Sequence, residues 1–266
     1  MTTTSPHSVP SVATAGYPDL AGKVAVVTGG SRGIGAATAA ALAANGTAVA
    51  VVGRDQAAIT TTVEAIRSGG GRALGLVADC TIEDDLQDLR RTVDDQLGPV
   101  DILALFAGGN GMPVPTGAAT STHWREVIES DLTSTFLTVS AFLPVMLGRH
   151  SGVIITMSSA AARQASKSSA AYAAAKAGVI AFSRHLAGEF AKDGIRVNCL
   201  APSAIENDKM RSWVSEDGRK ALGASFPLGR LGQPADVAAA ALFLASSASS
   251  WITGVTLDIA GGKIMP

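Results

Sequence analysis

Short, continuously apolar runs rich in β-branched residues alternate with longer helical stretches, and this alternation limits the possible folds more than any other feature of the chain. The strand-like runs are predicted at 23–28, 48–52, 73–78, 100–107, 152–158, 195–201 and 254–259. The helical stretches are predicted at 36–46, 55–68, 84–97, 121–148, 170–192 and 234–247. Strands without polar alternation are buried on both faces, so the pattern predicts an α/β fold: a doubly wound parallel sheet of about seven strands with helices on both faces.

No linker-like stretch divides the chain after residue 20, and we expect a single domain over residues 19–266. Residues 1–18 are rich in Ser, Thr and Pro and are expected to form a disordered tail. They lack the charged and apolar regions of a secretion signal. No apolar run reaches about 18 residues without a charge or a helix breaker, so we expect no membrane span.

The chain carries little charge: 16% of its residues are charged, 47% are hydrophobic and the net charge is −1. Such a chain has no basic field that would attract nucleic acid or an anionic membrane, and neither is expected as a partner. A usual charged fraction is ~25%, so the shortage of charge predicts self-association.

The cysteines and histidines indicate neither disulfides nor a metal site. Cys80 and Cys199 are the only cysteines, and the four histidines are scattered without ligand spacing. We expect reduced, buried thiols, no metal and a cytoplasmic protein.

A glycine-rich loop, VVTGGSRGIG at 26–35, follows the first predicted strand and opens the first predicted helix. Gly29, Gly33 and Gly35 allow a sharp turn and a close approach of backbone N–H groups to a pyrophosphate at the positive end of that helix. Many tight turns are also rich in glycine. The position between strand and helix at the start of a βαβ unit favours dinucleotide binding.

The end of the second predicted strand indicates which dinucleotide is bound. An NAD enzyme needs an acidic residue there for the ribose 2′-hydroxyl, whereas an NADP enzyme needs cations. Gly53 stands at that place, Arg54 follows, and Arg32 in the glycine loop can reach the same phosphate. NADP(H) is therefore the expected cofactor. Two solvated surface arginines are the alternative, and Asp55 could compete for the ribose.

Tyr172 and Lys176 lie one helical turn apart in an otherwise alanine-rich stretch, AAYAAAKAG at 170–178. This spacing places both side chains on one face of a helix. The ammonium would stabilise the phenolate form, so that Tyr172 could exchange a proton with a carbonyl oxygen as hydride is transferred. Ser159, at the end of the fifth predicted strand, could hold the same oxygen. An incidental tyrosine on a packed helix would give the same spacing.

Taken together, these motifs resemble the short-chain dehydrogenase/reductase family, and in particular its ketoreductases that act on 3-oxoacyl thioesters. The resemblance covers residues 20–262 and includes TGGSRGIG (28–35), Ser159, Tyr172 and Lys176, GIRVNCLAP (194–202) and residues 227–262. It implies a Rossmann-type fold, a small carbonyl or alcohol substrate and a homotetramer or homodimer built on the two long helices. It also implies a set of cofactor-binding residues: Gly29, Ser31, Arg32, Gly33, Ile34, Gly35, Arg54, Asp79, Cys80, Ala107, Gly108, Tyr172, Lys176, Pro202 and Ile205.

Three positions depart from the family pattern. Leu105 and Phe106 replace two asparagines that brace strands and cofactor, so apolar packing must supply that bracing here. Asp131 stands where an asparagine would anchor a proton-relay water, and we include it among the catalytic residues. Ser203 and Asn207 replace a glycine and a threonine after the sixth strand, where the backbone of Ile205 can still contact the carboxamide.

The substrate side is specified less well. The pocket is expected to be lined by 109–113, 160–169 and 203–226. Arg163 and Lys167 either face an anionic substrate or are solvated loop charges. Arg149 is a candidate docking cation for a carrier protein. The leading hypothesis is an NADP(H)-dependent ketone reductase or alcohol dehydrogenase. The alternatives are a non-redox isomerase, dehydratase or cyclase that uses Tyr172 and Lys176 as acid and base, and a cofactor-sensing binding module.

Overall fold

The computed structural model describes residues 16–109 and 111–265; most of the expected tail therefore lies outside the described residues. Seven parallel strands form one sheet in the order β3-β2-β1-β4-β5-β6-β7. The strands are β1 (Val24–Thr28), β2 (Ala48–Gly53), β3 (Ala73–Val77), β4 (Ile102–Leu105), β5 (Gly152–Met157), β6 (Ile195–Pro202) and β7 (Thr256–Ile259). The predicted α/β fold with a doubly wound parallel sheet of seven strands is confirmed.

Helices cover both faces of this sheet. They are α1 (Gly33–Ala44), α2 (Gln56–Ser68), α3 (Glu83–Gln96), α4 (Ser121–Ile128), α5 (Ser134–Arg149), α6 (Ala170–Phe190), α7 (Asp208–Trp213), α8 (Glu216–Ala224) and α9 (Pro234–Ala245). A π-helical turn, Glu129–Thr133, joins α4 to α5. The single helix predicted over 121–148 is therefore interrupted, and α7 and α8 lie in the polar region 203–230, for which no element was predicted.

The five inner strands bury both of their faces, as the absence of polar alternation predicted, whereas the edge strands are only partly buried: β3 has one buried residue, Ala73, and β7 has none. In β1, Ala25 and Val27 pack into the core that α1, α2 and α9 cover, while Val24 and Val26 pack into the core under α3, α5 and α6. β4 is shorter than predicted because the chain leaves the sheet after Leu105 and turns through Gly108 and Gly109, which have φ angles of +114° and +99°.

One helical stretch of the described chain, Ser121–Arg149, is long and apolar enough to pass a composition test for a membrane span. In the fold it behaves as a core helix, because Val139, Phe142 and Met146 are buried against the sheet.

We expect Leu103→Ala to lower the free energy of unfolding by about 2–5 kcal/mol, because Leu103 is fully buried in the central strand β4 and its truncation leaves a cavity. Leu103→Met nearly conserves the side-chain volume and should cost less than about 1.5 kcal/mol. Urea denaturation at one fixed protein concentration measures both values. Equal losses for the two variants would contradict this description of the core.

Candidate active site

The residues singled out in the sequence lie at the carboxyl edge of the sheet. The glycine loop follows β1, Arg54 follows β2, and Asp79 and Cys80 follow β3. Ala107 and Gly108 follow β4, Ser159 follows β5, and Pro202 and Ile205 lie at and just beyond the end of β6. β1 and β4 are hydrogen-bonded neighbours at the point where the strand order reverses. From β1 the sheet continues to one side through β2 and β3, and from β4 it continues to the other side through β5, β6 and β7. This is the crevice in which open α/β sheets bind their ligands.

Two glycines of the loop are fixed by close backbone contacts. A Cβ atom at Gly29, where φ is +62°, would lie 2.6 Å from the carbonyl oxygen of Phe106. At Gly35 it would lie 2.0 Å from the carbonyl oxygen of Gly29. No side chain fits at either position, so these glycines allow the loop to pack against the start of α1 and the end of β4.

Gly33 has a different role, because it faces open space. Its φ is +52°, and a Cβ atom there would meet no heavy atom within 4 Å. No side-chain cap is made by Arg32, the residue that precedes α1. The first N–H groups of α1, at Gly33, Ile34 and Gly35, therefore border an open cradle at the positive end of a helix dipole. A pyrophosphate fits this arrangement.

At the end of β2, Gly53 packs closely against Ser31, so a side chain at this position would require the Ser31 hydroxyl to move. A Cβ atom at Gly53 would lie 3.0 Å from the hydroxyl oxygen of Ser31. The two nearby arginines each contact a carboxylate: Arg32 pairs with Asp55, and Nη1 of Arg54 lies 3.7 Å from Oδ2 of Asp79. Both arginine side chains remain mostly exposed, at 64% and 79%.

Asp55 and Asp79 are held as carboxylates by the local backbone. The amide of Ala58 donates to Asp55, the N-cap of α2, and this hydrogen bond together with the charge of Arg32 lowers the pKa of Asp55. The amide and hydroxyl of Thr81 donate to Asp79 and, with the charge of Arg54, lower its pKa. Burial raises the pKa of the neighbouring Cys80 thiol to about 11, so Cys80 is a neutral thiol beside Asp79 at this edge of the sheet.

Tyr172, Lys176 and Asp131 come together although the sequence separates them by up to 45 residues, from 131 to 176. Nζ of Lys176 lies 3.1 Å from Oδ1 of Asp131 and 5.7 Å from the ring centroid of Tyr172. The side chains of Lys176 and Asp131 are 3% and 0% exposed. A buried charge pair thus lies beside a phenol that is only partly buried.

The end of β5 completes this cluster. Nζ of Lys176 donates to the carbonyl oxygen of Met157 at 3.1 Å, and the hydroxyl of Ser158 donates to the carbonyl oxygen of Lys176 at 2.8 Å. Ser159 follows directly and accepts a hydrogen bond from the amide of Ala161. This contact leaves the hydroxyl hydrogen of Ser159 available for an acceptor.

Several contacts at this site were not predicted. The amide of Gly109 donates to Oδ1 of Asp131 at 2.6 Å, and the hydroxyl of Ser130 donates to Oδ2 at 2.8 Å. The hydroxyl of Thr28 accepts from the amides of Phe106 and Ala107, so a polar brace between β1 and β4 adds to the apolar packing of Leu105 and Phe106. The only sequence signal for this brace was the single hydroxyl that ends the apolar β1 run.

The structure gives defined positions to Gly111, Ile205 and Asn207 in the segments expected to line the substrate pocket or contact the carboxamide. A Cβ atom at Gly111 would lie 3.1 Å from the ring of Tyr172, so the backbone after β4 passes directly beside the phenol. Asn207 caps α7 by accepting from the amide of Met210. Ile205 is buried and pairs with Gly232 through an isolated β-bridge.

Two cations considered for substrate binding have other roles. Nη2 of Arg163 lies 3.0 Å from Oδ2 of Asp258 and is neutralised there. Arg149 pairs with Asp101 at 2.8 Å and also donates to the carbonyl oxygens of Pro99 and Val100. Arg149 lies away from the catalytic residues, because the end of α5 is at the amino edge of the sheet, and its role as a docking cation for a carrier protein stays a prediction. Lys167 is exposed.

Comparison with known proteins agrees with this geometry. The profile of a family described as enoyl-(acyl carrier protein) reductase matches residues 29–263. The chain is 38% identical over 243 residues to the 3-oxoacyl-[acyl-carrier-protein] reductase FabG of Chlamydia pneumoniae, which covers 91% of this chain and 97% of that protein.

Solved structures show the same fold. A 3-oxoacyl-[acyl-carrier protein] reductase from Brucella melitensis superposes with a TM-score of 0.89 at 32% identity, covering 99% of both chains. A 7α-hydroxysteroid dehydrogenase in complex with NADH and 7-oxo glycochenodeoxycholic acid superposes with a TM-score of 0.88 at 35% identity, covering 94% of this chain and 97% of that one. The chain therefore belongs to the short-chain dehydrogenase/reductase family and is an oxidoreductase of its ketoreductase type.

Proposed function

We propose that the chain reduces a ketone to a secondary alcohol, or catalyses the reverse oxidation, with NADP(H) as cofactor and with Ser159, Tyr172, Lys176 and Asp131 at the reacting carbonyl. The observation that carries this proposal is the buried Lys176 ammonium, 5.7 Å from the ring of Tyr172, at the same edge of the sheet as the open glycine cradle. Loss of NADPH absorbance with a panel of ketones, including a 3-oxoacyl thioester and a cyclic ketone, tests it.

The residues divide the chemistry among them. When bound, the reduced nicotinamide supplies hydride to the carbonyl carbon. Tyr172 donates its phenolic proton to the carbonyl oxygen, and the hydroxyl of Ser159 donates a hydrogen bond to that oxygen and orients it. The positive charge of Lys176 stabilises the phenolate that remains on Tyr172.

The contacts of Lys176 leave it able to bind the cofactor as well. An ammonium has three N–H donors. One is directed at Asp131 and one at the carbonyl oxygen of Met157, and the third is assigned here to a hydroxyl of the nicotinamide ribose. Asp131 would then act by fixing the ammonium and balancing its charge.

Relatives support a ketone substrate but differ in its size. The reductase of Chlamydia pneumoniae is named for 3-oxoacyl groups on acyl carrier protein, and the hydroxysteroid dehydrogenase structure holds a 7-oxo bile acid conjugate. The small residues beside Tyr172 suit either class, and we assign the substrate as a ketone, with a 3-oxoacyl thioester as the first candidate.

We further assign a homotetramer or homodimer built on α5 and α6, and a cytoplasmic location. Phe136 of α5 is half exposed and makes an edge-to-face contact with Phe182 of α6 at 6.1 Å, which places an aromatic pair on the outer face of these helices. Both free cysteines are buried, as suits a reducing compartment. Sedimentation of the purified chain tests the assembly.

We expect NADPH to bind more tightly than NADH, because glycine stands at the end of β2 where an NAD enzyme carries an acidic residue, and the guanidinium groups of Arg32 and Arg54 lie nearby. Each charge-assisted hydrogen bond is worth about 1.5–3 kcal/mol, so Arg54→Ala should weaken NADPH binding about 10- to 150-fold and NADH binding far less. Calorimetry with both cofactors measures this. Arg91→Ala, which removes an equally exposed arginine of α3, is the control and should change neither affinity. Equal affinities in the wild type would refute the assignment.

Tyr172→Phe should remove nearly all turnover and leave cofactor affinity unchanged, because the ring still packs and only the proton donor is lost. Steady-state rates should fall about 10²–10⁴-fold, the usual contribution of a general acid. Lys176→Ala should reduce both turnover and cofactor affinity. If Tyr172→Phe kept more than about a tenth of the wild-type rate, another group would be the acid.

Asp131→Asn should retain or raise activity and move the alkaline limb of the pH–rate profile toward lower pH. Removal of the carboxylate leaves the charge of Lys176 uncompensated, and this stabilises the phenolate of Tyr172. Asparagine keeps an acceptor for the amide of Gly109 at nearly constant volume. An unchanged pH profile would place Asp131 outside the proton relay, and complete inactivation would give its carboxylate a chemical role.

A further inference from the structure

The segment between β6 and α9, residues 203–233, leaves the carboxyl edge of the sheet and carries α7 and α8. Little hydrophobic burial holds these two helices. Among residues whose side chains the structure describes, none in α7 is buried, and in α8 only Gly223 is buried. Polar contacts must therefore fix the position of α7 and α8 relative to the catalytic residues.

The carboxylate of Glu206 makes several of these polar contacts. Oε1 of Glu206 lies 3.3 Å from Nε of Arg211 in α7 and 3.6 Å from Nε of Arg219 in α8. Oε2 accepts a hydrogen bond from Nε2 of Gln233, the residue before α9, at 2.8 Å. Its backbone amide donates to the carbonyl oxygen of Gly232, so Glu206 is anchored to the body of the fold.

The surroundings favour the ionised form and a defined geometry. The Glu206 side chain is 21% exposed, and the hydrogen bond from Gln233 together with the charges of Arg211 and Arg219 lowers its pKa. Nη1 of Arg219 also donates to the carbonyl oxygen of Val214 at the junction of α7 and α8. A connected network of this kind contributes more than an isolated exposed pair such as Glu216 with Lys220, whose side chains are each 70% exposed.

We infer that Glu206 is a positioning residue: its carboxylate holds α7 and α8 against the end of β6 and so sets how closely the wall of the substrate pocket surrounds the carbonyl compound. The consequence for substrate binding rests on the proposed function. The mechanical part, in which Glu206 restrains α7 and α8, does not depend on it.

The experiment compares Glu206→Gln with Glu216→Gln, a control that removes one ionised glutamate from α8; Glu216 pairs with Lys220 and interacts with Arg219 only through its charge, so the hydrogen bonds and ion pairs of Glu206 remain in this variant. Limited trypsin digestion should cut after Arg211 and Arg219 about tenfold faster in Glu206→Gln and at the wild-type rate in Glu216→Gln, since loss of one charged hydrogen bond corresponds to about that factor. Cleavage after Arg91 in α3 should not change in either variant. Glu206→Asp, which keeps the charge on a shorter side chain, should give an intermediate rate.

Steady-state kinetics with NADPH and acetoacetyl-coenzyme A give the second readout. In Glu206→Gln, KM for the thioester should rise about tenfold while kcat and the Kd of NADPH change less than about twofold, the pattern expected when binding of the ground state and of the transition state is weakened equally. Wild-type cleavage rates after Arg211 and Arg219, or equal acceleration at Arg91, would overturn the inference. Faster cleavage confined to α7 and α8 in a protein that reduces no ketone would support Glu206 as the restraint and overturn the proposed function.

Discussion

The buried contact between Lys176 and Asp131 joins four parts of the candidate active site. Through it, α6 is joined to the π-helical turn before α5, to the loop after β4 by way of the amide of Gly109, and to the end of β5 by way of the carbonyl oxygen of Met157. Truncation of Asp131 to alanine would leave the buried ammonium of Lys176 without a partner, a change that typically costs about 3–5 kcal/mol, whereas asparagine at 131 keeps an oxygen acceptor at that place. The position of the phenol on α6 therefore depends on a carboxylate that lies 41 residues before it, at 131 against 172.

The π-helical turn explains how that carboxylate reaches the site. In a regular helix through 121–149, the direction of the Asp131 side chain would be set by 3.6 residues per turn. The π-helical turn at Glu129–Thr133 is wider, so it changes the rotation of α4 about the helix axis relative to α5 and with it the direction of that side chain. The side chain of Asp131 then faces inward, where Gly108 leaves space for it and the amide of Gly109 donates to it: a Cβ atom at Gly108 would lie 2.6 Å from Oδ1 of Asp131. The position of the Asp131 carboxylate therefore depends both on the π-helical turn and on the glycines that follow β4.

The sequence predicted what depends on hydrophobic pattern and local turn chemistry. The seven strands follow from their apolar runs, the glycine loop from its turn chemistry, and the placement of Tyr172 and Lys176 on one helix face from their spacing of four residues. The π-helical turn did not, because no residue in ESDLT differs from those of an ordinary helix. The roles of Thr28, Arg149 and Glu206 also could not be read from the sequence, since each is fixed by partners that the fold brings from other elements. Arg149 illustrates the limit: its charge was evident, but its pairing with Asp101, which precedes β4, was not.

Ion pairs also occur where the cofactor is proposed to bind, after β1, β2 and β3. Arg32 and Arg54 contact Asp55 and Asp79, so the two cations that are assigned to the 2′-phosphate are already partly neutralised before any cofactor arrives. A phosphate must then compete with carboxylates whose ionised forms are stabilised by Ala58 and Thr81. The gain from a 2′-phosphate is a difference between two sets of contacts, and it is smaller than two free arginines would provide. Because both arginines are exposed, salt also screens that difference. Discrimination between the two cofactors should therefore depend on how far each arginine can leave its carboxylate, a property set by Gly53 and Ser31, which fix the backbone from which Arg32 and Arg54 extend.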